Sequence, residues 1–156
     1  MSRARDVFTP PEVPGEMSTL TGLRRWMART GANFHSYEVG RPPADGFWLR
    51  KGPDGAVEML YFERGRNRPE RRFETEAEAV AAFATQVAAD PWAWTHCVRM
   101  TADEAAAAAA MATLETLAIP AVMDRIPYGG PDDPRWRVFV FGTDRDRAQA
   151  ALGPAP

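Results

Sequence analysis

A chain of 156 residues, 45% apolar and 26% charged, is long enough to bury a core without disulfide or metal staples, and its composition is that of an ordinary globular domain. Its formal net charge of -2 and pI of about 5.7 weigh against a protein that lives on nucleic acid, which usually carries a basic surplus. The one cysteine, Cys97, excludes an internal disulfide, as expected for a cytosolic protein, and no run of 18 apolar residues offers a membrane span.

Along the chain, residues 1 to 17, MSRARDVFTPPEVPGEM, lack the apolar core of a signal peptide and read as a flexible tail. Met17 with STLTGLRRWM behind it resembles a natural protein start, so residues 1 to 16 are expected to be dispensable. Ser18 or Thr19 caps a helix running to Thr30, with Leu20, Leu23, Trp26 and Met27 on one face and Gly31 as its left-handed stop. A strand over 34–39 leads into GRPPAD, whose paired prolines forbid a central strand. GFWLRK (46–51) and AVEMLYFER (56–64) flank GPDG, where proline presets φ and glycine accepts positive φ, so the spacing predicts a β-hairpin. The arginine-rich piece follows, with ERRFE as a short further strand.

Thr75 opens TEAE, a capping box, and Val80, Phe83 and Val87 form the apolar stripe of a helix that Pro91 ends. The same box at TADE (101–104) opens an alanine-rich helix whose Met111, Leu114 and Leu117 face a core. Around it the order reads strand (94–100), helix (102–118), strand (121–127), strand (136–141) and helix (144–152), with Gly153 as a stop. The predicted fold is α+β: a helix-flanked antiparallel meander (18–90), then a partial ferredoxin-like β-α-β-β-α unit (91–153). Together they are expected to form a single compact domain over 18–153, with one sheet open to sharing between the halves.

Chemistry is scarce. No G-x-G-x-x-G loop, Walker lysine or G-x-S-x-G elbow occurs. His96 and Cys97 are neighbours on a strand, so their side chains point to opposite faces; His35 is the remaining partner that Cys97 would need for nucleophilic chemistry. Two histidines and one cysteine, none at ligand spacing, leave no metal or cofactor expected. Asp132 and Asp133 in GGPDDP could hold a hard cation, although a polar turn accounts for them more cheaply. Glu58 and Glu63 stand an odd number of residues apart on one strand, which is no acid/base pair.

Arginine makes up 18 of the 19 basic residues, Lys51 being the exception; with so much alanine this reflects a GC-rich coding bias, so each arginine is judged by position. Arg64, Arg66, Arg68, Arg71 and Arg72 crowd nine positions, interleaved with Glu63, Glu70 and Glu74, which weakens a phosphate-binding reading. Two readings remain: a solvated edge whose charges discourage strand-to-strand pairing, or a protein interface using arginine anchors. Among the aromatics, Trp92 and Trp94 start one strand, Trp48 sits beside Phe47, and Tyr128 and Trp136 bracket the GGPDDP loop; any that are exposed suit a protein-binding face.

Trp48-Leu49-Arg50, Glu63-Arg64-Gly65, Arg71-Arg72-Phe73 and the acidic cap Thr75 to Glu78 lie within residues 46–83. In that order they resemble small actinobacterial immunity proteins of polymorphic toxin systems, the group that includes immunity factors against NAD-hydrolysing necrotizing-type toxins. The resemblance covers about a quarter of the chain. It implies a cytoplasmic protein that is no enzyme and that covers the active site of a cognate toxin domain. It carries over no binding residue, so contact residues are chosen on physical grounds: Arg64, Arg66 and Arg68 on the protruding turn, and Tyr128, Asp132 and Asp133 on the second loop. A nucleic-acid-associated or regulatory accessory domain using the Arg64–Arg72 cluster is the alternative; no membrane partner is expected.

Overall fold

Helix α1 (Leu20–Thr30) begins where Thr19, in extended conformation, turns its Oγ1 to accept the Gly22 N–H at 3.0 Å, and ends at Gly31 with φ of 81°. The computed structural model describes residues 7–154. It divides into two compact units, Pro10–Trp94 and a second that starts at Thr95 and includes residues 7–9. This boundary lies four residues beyond the division read from sequence.

In the first unit α1 is followed by β1 (Tyr37–Val39), β2 (Gly46–Lys51), β3 (Val57–Glu63), β4 (Arg66–Phe73), α2 (Glu76–Ala89) and a 3-10 turn (Pro91–Trp94). The four strands form one sheet in chain order. β2, β3 and β4 are the expected antiparallel meander, but β1 pairs with β2 in parallel, Tyr37 opposite Phe47 and Val39 opposite Leu49. Parallel neighbours usually need a long crossover. Here β1 is only three residues long, so the six residues 40–45 suffice to carry the chain back to the start of β2. The expected strand over 34–39 is correspondingly shorter, because residues 34–36 form a turn.

The β2–β3 turn is the one read from GPDG: the Gly52 N–H donates to the Ala56 carbonyl at 2.8 Å, and the Asp54 carboxylate accepts the Ala56 N–H at 3.2 Å. β4 is longer than the short strand expected from ERRFE. Arg64 and Gly65 both take positive φ, 50° and 77°, the mirror-image turn that matches the twist of a two-residue hairpin, so β4 starts at Arg66. At the far end, α2 has the full capping box: Thr75 Oγ1 accepts the Glu78 N–H, and the Glu78 carboxylate accepts the Thr75 N–H. Val80, Phe83 and Val87 are wholly buried, as are Leu23 and Met27 of α1. Each such side chain contributes about 1.5–3 kcal/mol.

Trp92 and Trp94 lie in the 3-10 turn rather than on a strand, because Pro91 and the Asp90 cap set the chain turning. Trp94 is buried, crosses Trp26 edge-on with ring centres 5.6 Å apart, and donates its Nε1–H to the Val87 carbonyl.

The second unit contains β5 (Thr95–Thr101), α3 (Glu104–Thr116), β6 (Ala121–Ile126), β7 (Arg135–Phe141) and α4 (Asp144–Leu152). Its sheet runs β5-β7-β6 with antiparallel neighbours, so β7 is inserted between two strands that α3 joins, as in a ferredoxin-like split unit. The fold is thus α+β with two separate sheets, and the sheet open to sharing is not shared. Val98, Ala107, Ala110, Leu114, Ile119, Val138, Val140 and Ala148 form one core.

Two local expectations change. Asp103, not Thr101, caps α3: its carboxylate accepts the Ala105 N–H at 2.9 Å, while the Thr101 hydroxyl accepts the Asp103 N–H. Leu117 is the C-cap and is exposed, because α3 stops two residues earlier than expected, whereas Leu114 is buried and Met111 half-buried. Within the segment read as a flexible tail, residues 1–6 lie outside the described residues. Phe8 stacks on Phe141, and the Glu12 carbonyl accepts the Trp26 Nε1–H at 3.2 Å.

Candidate functional site

β4 is an edge strand, and every side chain from Arg66 to Arg72 is exposed. Only Arg64 lies on the turn itself; Arg66 and Arg68 stand on β4, a correction to their reading as turn residues. An extra residue, Glu70, resets the register: Leu60 faces Pro69 while Met59 faces Arg71. This brings Arg66, Arg68 and Arg71 to one face of the strand, opposite Glu63, Tyr61 and Met59 respectively. Pro69 has no N–H to offer, which together with the bulge and the charges blunts the edge against pairing with another copy.

The five arginines are not equivalent. Arg68 pairs with Glu70 at 2.6 Å and lies 5.1 Å from the centre of the Tyr61 ring. Arg72 pairs with Asp54 at 2.8 Å and holds that carboxyl below its usual range. Arg71 covers the Phe73 ring at 4.6 Å. Arg64 and Arg66 have no ion pair among the described residues. The aromatic rings under these guanidinium groups come from cross-strand and terminal positions, which is why no interleaving was visible in the turn sequence. The Tyr61 hydroxyl donates to Asp45 at 3.0 Å, and that bond pushes its pKa up. Behind β4 an open groove of about 730 Å³ runs against α2, lined by Arg71, Arg72, Phe73, Glu78, Ala81 and Ala82.

Tyr128, Asp132 and Asp133 stand on the β6–β7 loop of the second unit, all exposed. Asp133 pairs with Arg135, whose guanidinium lies 4.9 Å from the centre of the Tyr128 ring. Backbone bonds from Gly129 N–H to Asp133 O and from Asp133 N–H to Gly130 O close the loop. The two aspartates thus belong to a hydrogen-bonded turn, and among the described residues no group of three His, Cys, Asp or Glu side chains stands ready to hold a metal.

Cys97 is half-buried on β5, and burial pushes its thiol up, the opposite of what a thiolate nucleophile needs. His96 faces Val140 and Cys97 faces Phe139 in the sheet register; His35 is exposed in the turn before β1. Glu58 is taken by Arg50 at 2.8 Å.

Sequence reading missed one cluster altogether. Glu38 on β1 is 2% exposed, yet it accepts bonds from Arg24 Nε and Nη2 at 2.9 and 3.1 Å, from Arg41 Nε at 2.9 Å and from the Val39 N–H at 2.9 Å. Burial pushes its carboxyl up, but these donors outweigh that and hold it below the ordinary value. An apolar neighbourhood with one acid, FHSYEV, was the available signal. No helix among the described residues is long and apolar enough to cross a membrane. Comparison with protein-family models, with curated proteins and with solved structures gave no match.

Proposed function

We propose that this protein is a binding module rather than an enzyme: an immunity protein that neutralises a cognate toxin domain by covering its active site in the cytoplasm of the producing cell. The observation that carries the reading is Arg64. A bulky residue occupies a left-handed position that asparagine or glycine takes at less cost, at the tip of an exposed hairpin, with no ion pair among the described residues. Strain of this kind is held where a side chain must be presented. With Arg66 beside it, the tip offers two uncompensated guanidinium groups, whose complement is an acidic protein surface.

The resemblance to immunity proteins of polymorphic toxin systems supports the choice of partner. Its four elements fall on β2, the β3–β4 turn, the end of β4 and the capping box of α2. The acids that engage Arg68 and Arg72 reduce the field that a polyanion would feel, so nucleic acid is the less favoured partner. Co-expression with the toxin domain encoded beside its gene tests the reading. Growth restored by this chain supports it; unrelieved toxicity with soluble protein present contradicts it.

A further inference from the structure

Between α1 and the sheet of the first unit lies an open cavity of about 550 Å³, within the range of small-molecule sites. Arg24 and Arg25 of α1 and Arg50 and Lys51 of β2 line it, with Leu20 and Val39 as apolar wall, and no acidic side chain belongs to the lining. Acids outside the lining fix three of the four cations. Glu38 grips Arg24 with both oxygens, Glu58 holds Arg50 at 2.8 Å, and Glu76 holds Lys51 at 3.0 Å. Arg24 is also pinned over the Phe34 ring at 4.7 Å. Glu76 accepts the Leu20 N–H at 2.7 Å, so the start of α1 already has its anion and the cavity's charge is that of side chains.

Glu38 serves Arg41 as well as Arg24, and Arg25 has no ion pair among the described residues. Three carboxylates therefore stand against five cations, leaving two positive charges uncompensated. Guanidinium groups held in place beside an apolar wall match a dianionic head on an apolar body. We propose that this cavity binds a phosphomonoester, its phosphoryl group between Arg25 and Arg50 and its organic part against Leu20 and Val39. The site shares no lining residue with the arginine hairpin.

Calorimetric titration of the full chain with phenyl phosphate and, separately, inorganic phosphate tests this. Phenyl phosphate is expected to bind saturably and about tenfold more tightly than inorganic phosphate, since its ring gains the apolar wall. Arg25→Ala and Arg50→Ala are each expected to weaken it by about threefold or more, and added salt to weaken it further. Arg72→Ala, outside the cavity, leaves the affinity unchanged. Arg24 is not the residue to replace, because its loss strips buried Glu38 of its main partner. Equal affinity for the two probes, no saturable binding, or affinity unmoved in both cavity variants overturns the proposal.

Discussion

Arg24 and Glu38 form a two-pronged ion pair, Nε to Oε1 at 2.9 Å and Nη2 to Oε2 at 3.1 Å, in which the carboxylate is buried and the guanidinium reaches solvent. The acid holds helix α1 to strand β1. Because donors keep the Glu38 carboxyl below its ordinary 4.5, its contribution is fully present above that pH and is lost as pH falls through the lowered value. Glu38→Gln is expected to cost about 2–4 kcal/mol at neutral pH, since it leaves two arginines short of their counterion. It also flattens the acid limb of the stability curve. Urea melts between pH 3 and 7, compared for the two proteins, check both effects; parallel acid limbs would remove Glu38 from this role.

Gly46 opens β2 at a φ of 144°, and a Cβ there would come within 1.9 Å of the Ser36 carbonyl oxygen. That oxygen accepts the Phe47 N–H at 3.0 Å and so sets the parallel β1–β2 pairing. Gly46→Ala is expected to cost about 3 kcal/mol or more, through both the clash and the lost bond. Thermal unfolding measures the loss, and a fall of under 1 kcal/mol would contradict the geometry.

Arg64→Asn separates stability from binding. Asparagine accepts the left-handed turn position more readily, so the fold is expected to gain about 0.5–1 kcal/mol. The same change removes a guanidinium from the proposed contact and is expected to weaken partner binding by about tenfold. Chemical denaturation reads the first effect and calorimetry the second. A variant both less stable and fully binding-competent would remove Arg64 from the site.

Thr75→Ala tests the one capping box present in full among the described residues. Its loss is expected to cost about 1 kcal/mol, because the Glu78 N–H is left without its acceptor. Thr101→Ala is expected to cost less, since Asp103 caps that helix. Equal costs at the two positions, measured by urea unfolding, would contradict the assignment.

Much of the fold was legible because its signals are local. The GPDG turn, the TEAE box and the Gly31 stop act within four residues of themselves, and the structure has them as read. What sequence did not disclose depends on distant partners. The parallel placement of β1 follows from its three-residue length and the clearance at Gly46, neither of which periodicity reports. β4 carries no apolar alternation from Arg66 to Arg72 because it is an edge, and only Phe73 at its end is buried, so periodicity did not mark its full length. The protruding turn was expected, but its tight two-residue form at Arg64 and Gly65 was not, because arginine is not a residue that left-handed positions favour. The Glu38 cluster draws its arginines from a helix and a loop on either side of the strand, a convergence only the folded chain shows.

The central claim is that the β3–β4 hairpin carries the contact with a toxin domain. Size-exclusion chromatography of the purified chain with the toxin domain encoded beside its gene, followed by assay of toxin activity in the eluted complex, addresses it most directly. The expected result is a stable complex with toxin activity lost, and no complex when Arg64, Arg66 and Arg68 are all replaced by alanine in a chain that still melts cooperatively. A triple variant that binds and neutralises as well as the unaltered protein, or no complex from either, would contradict it.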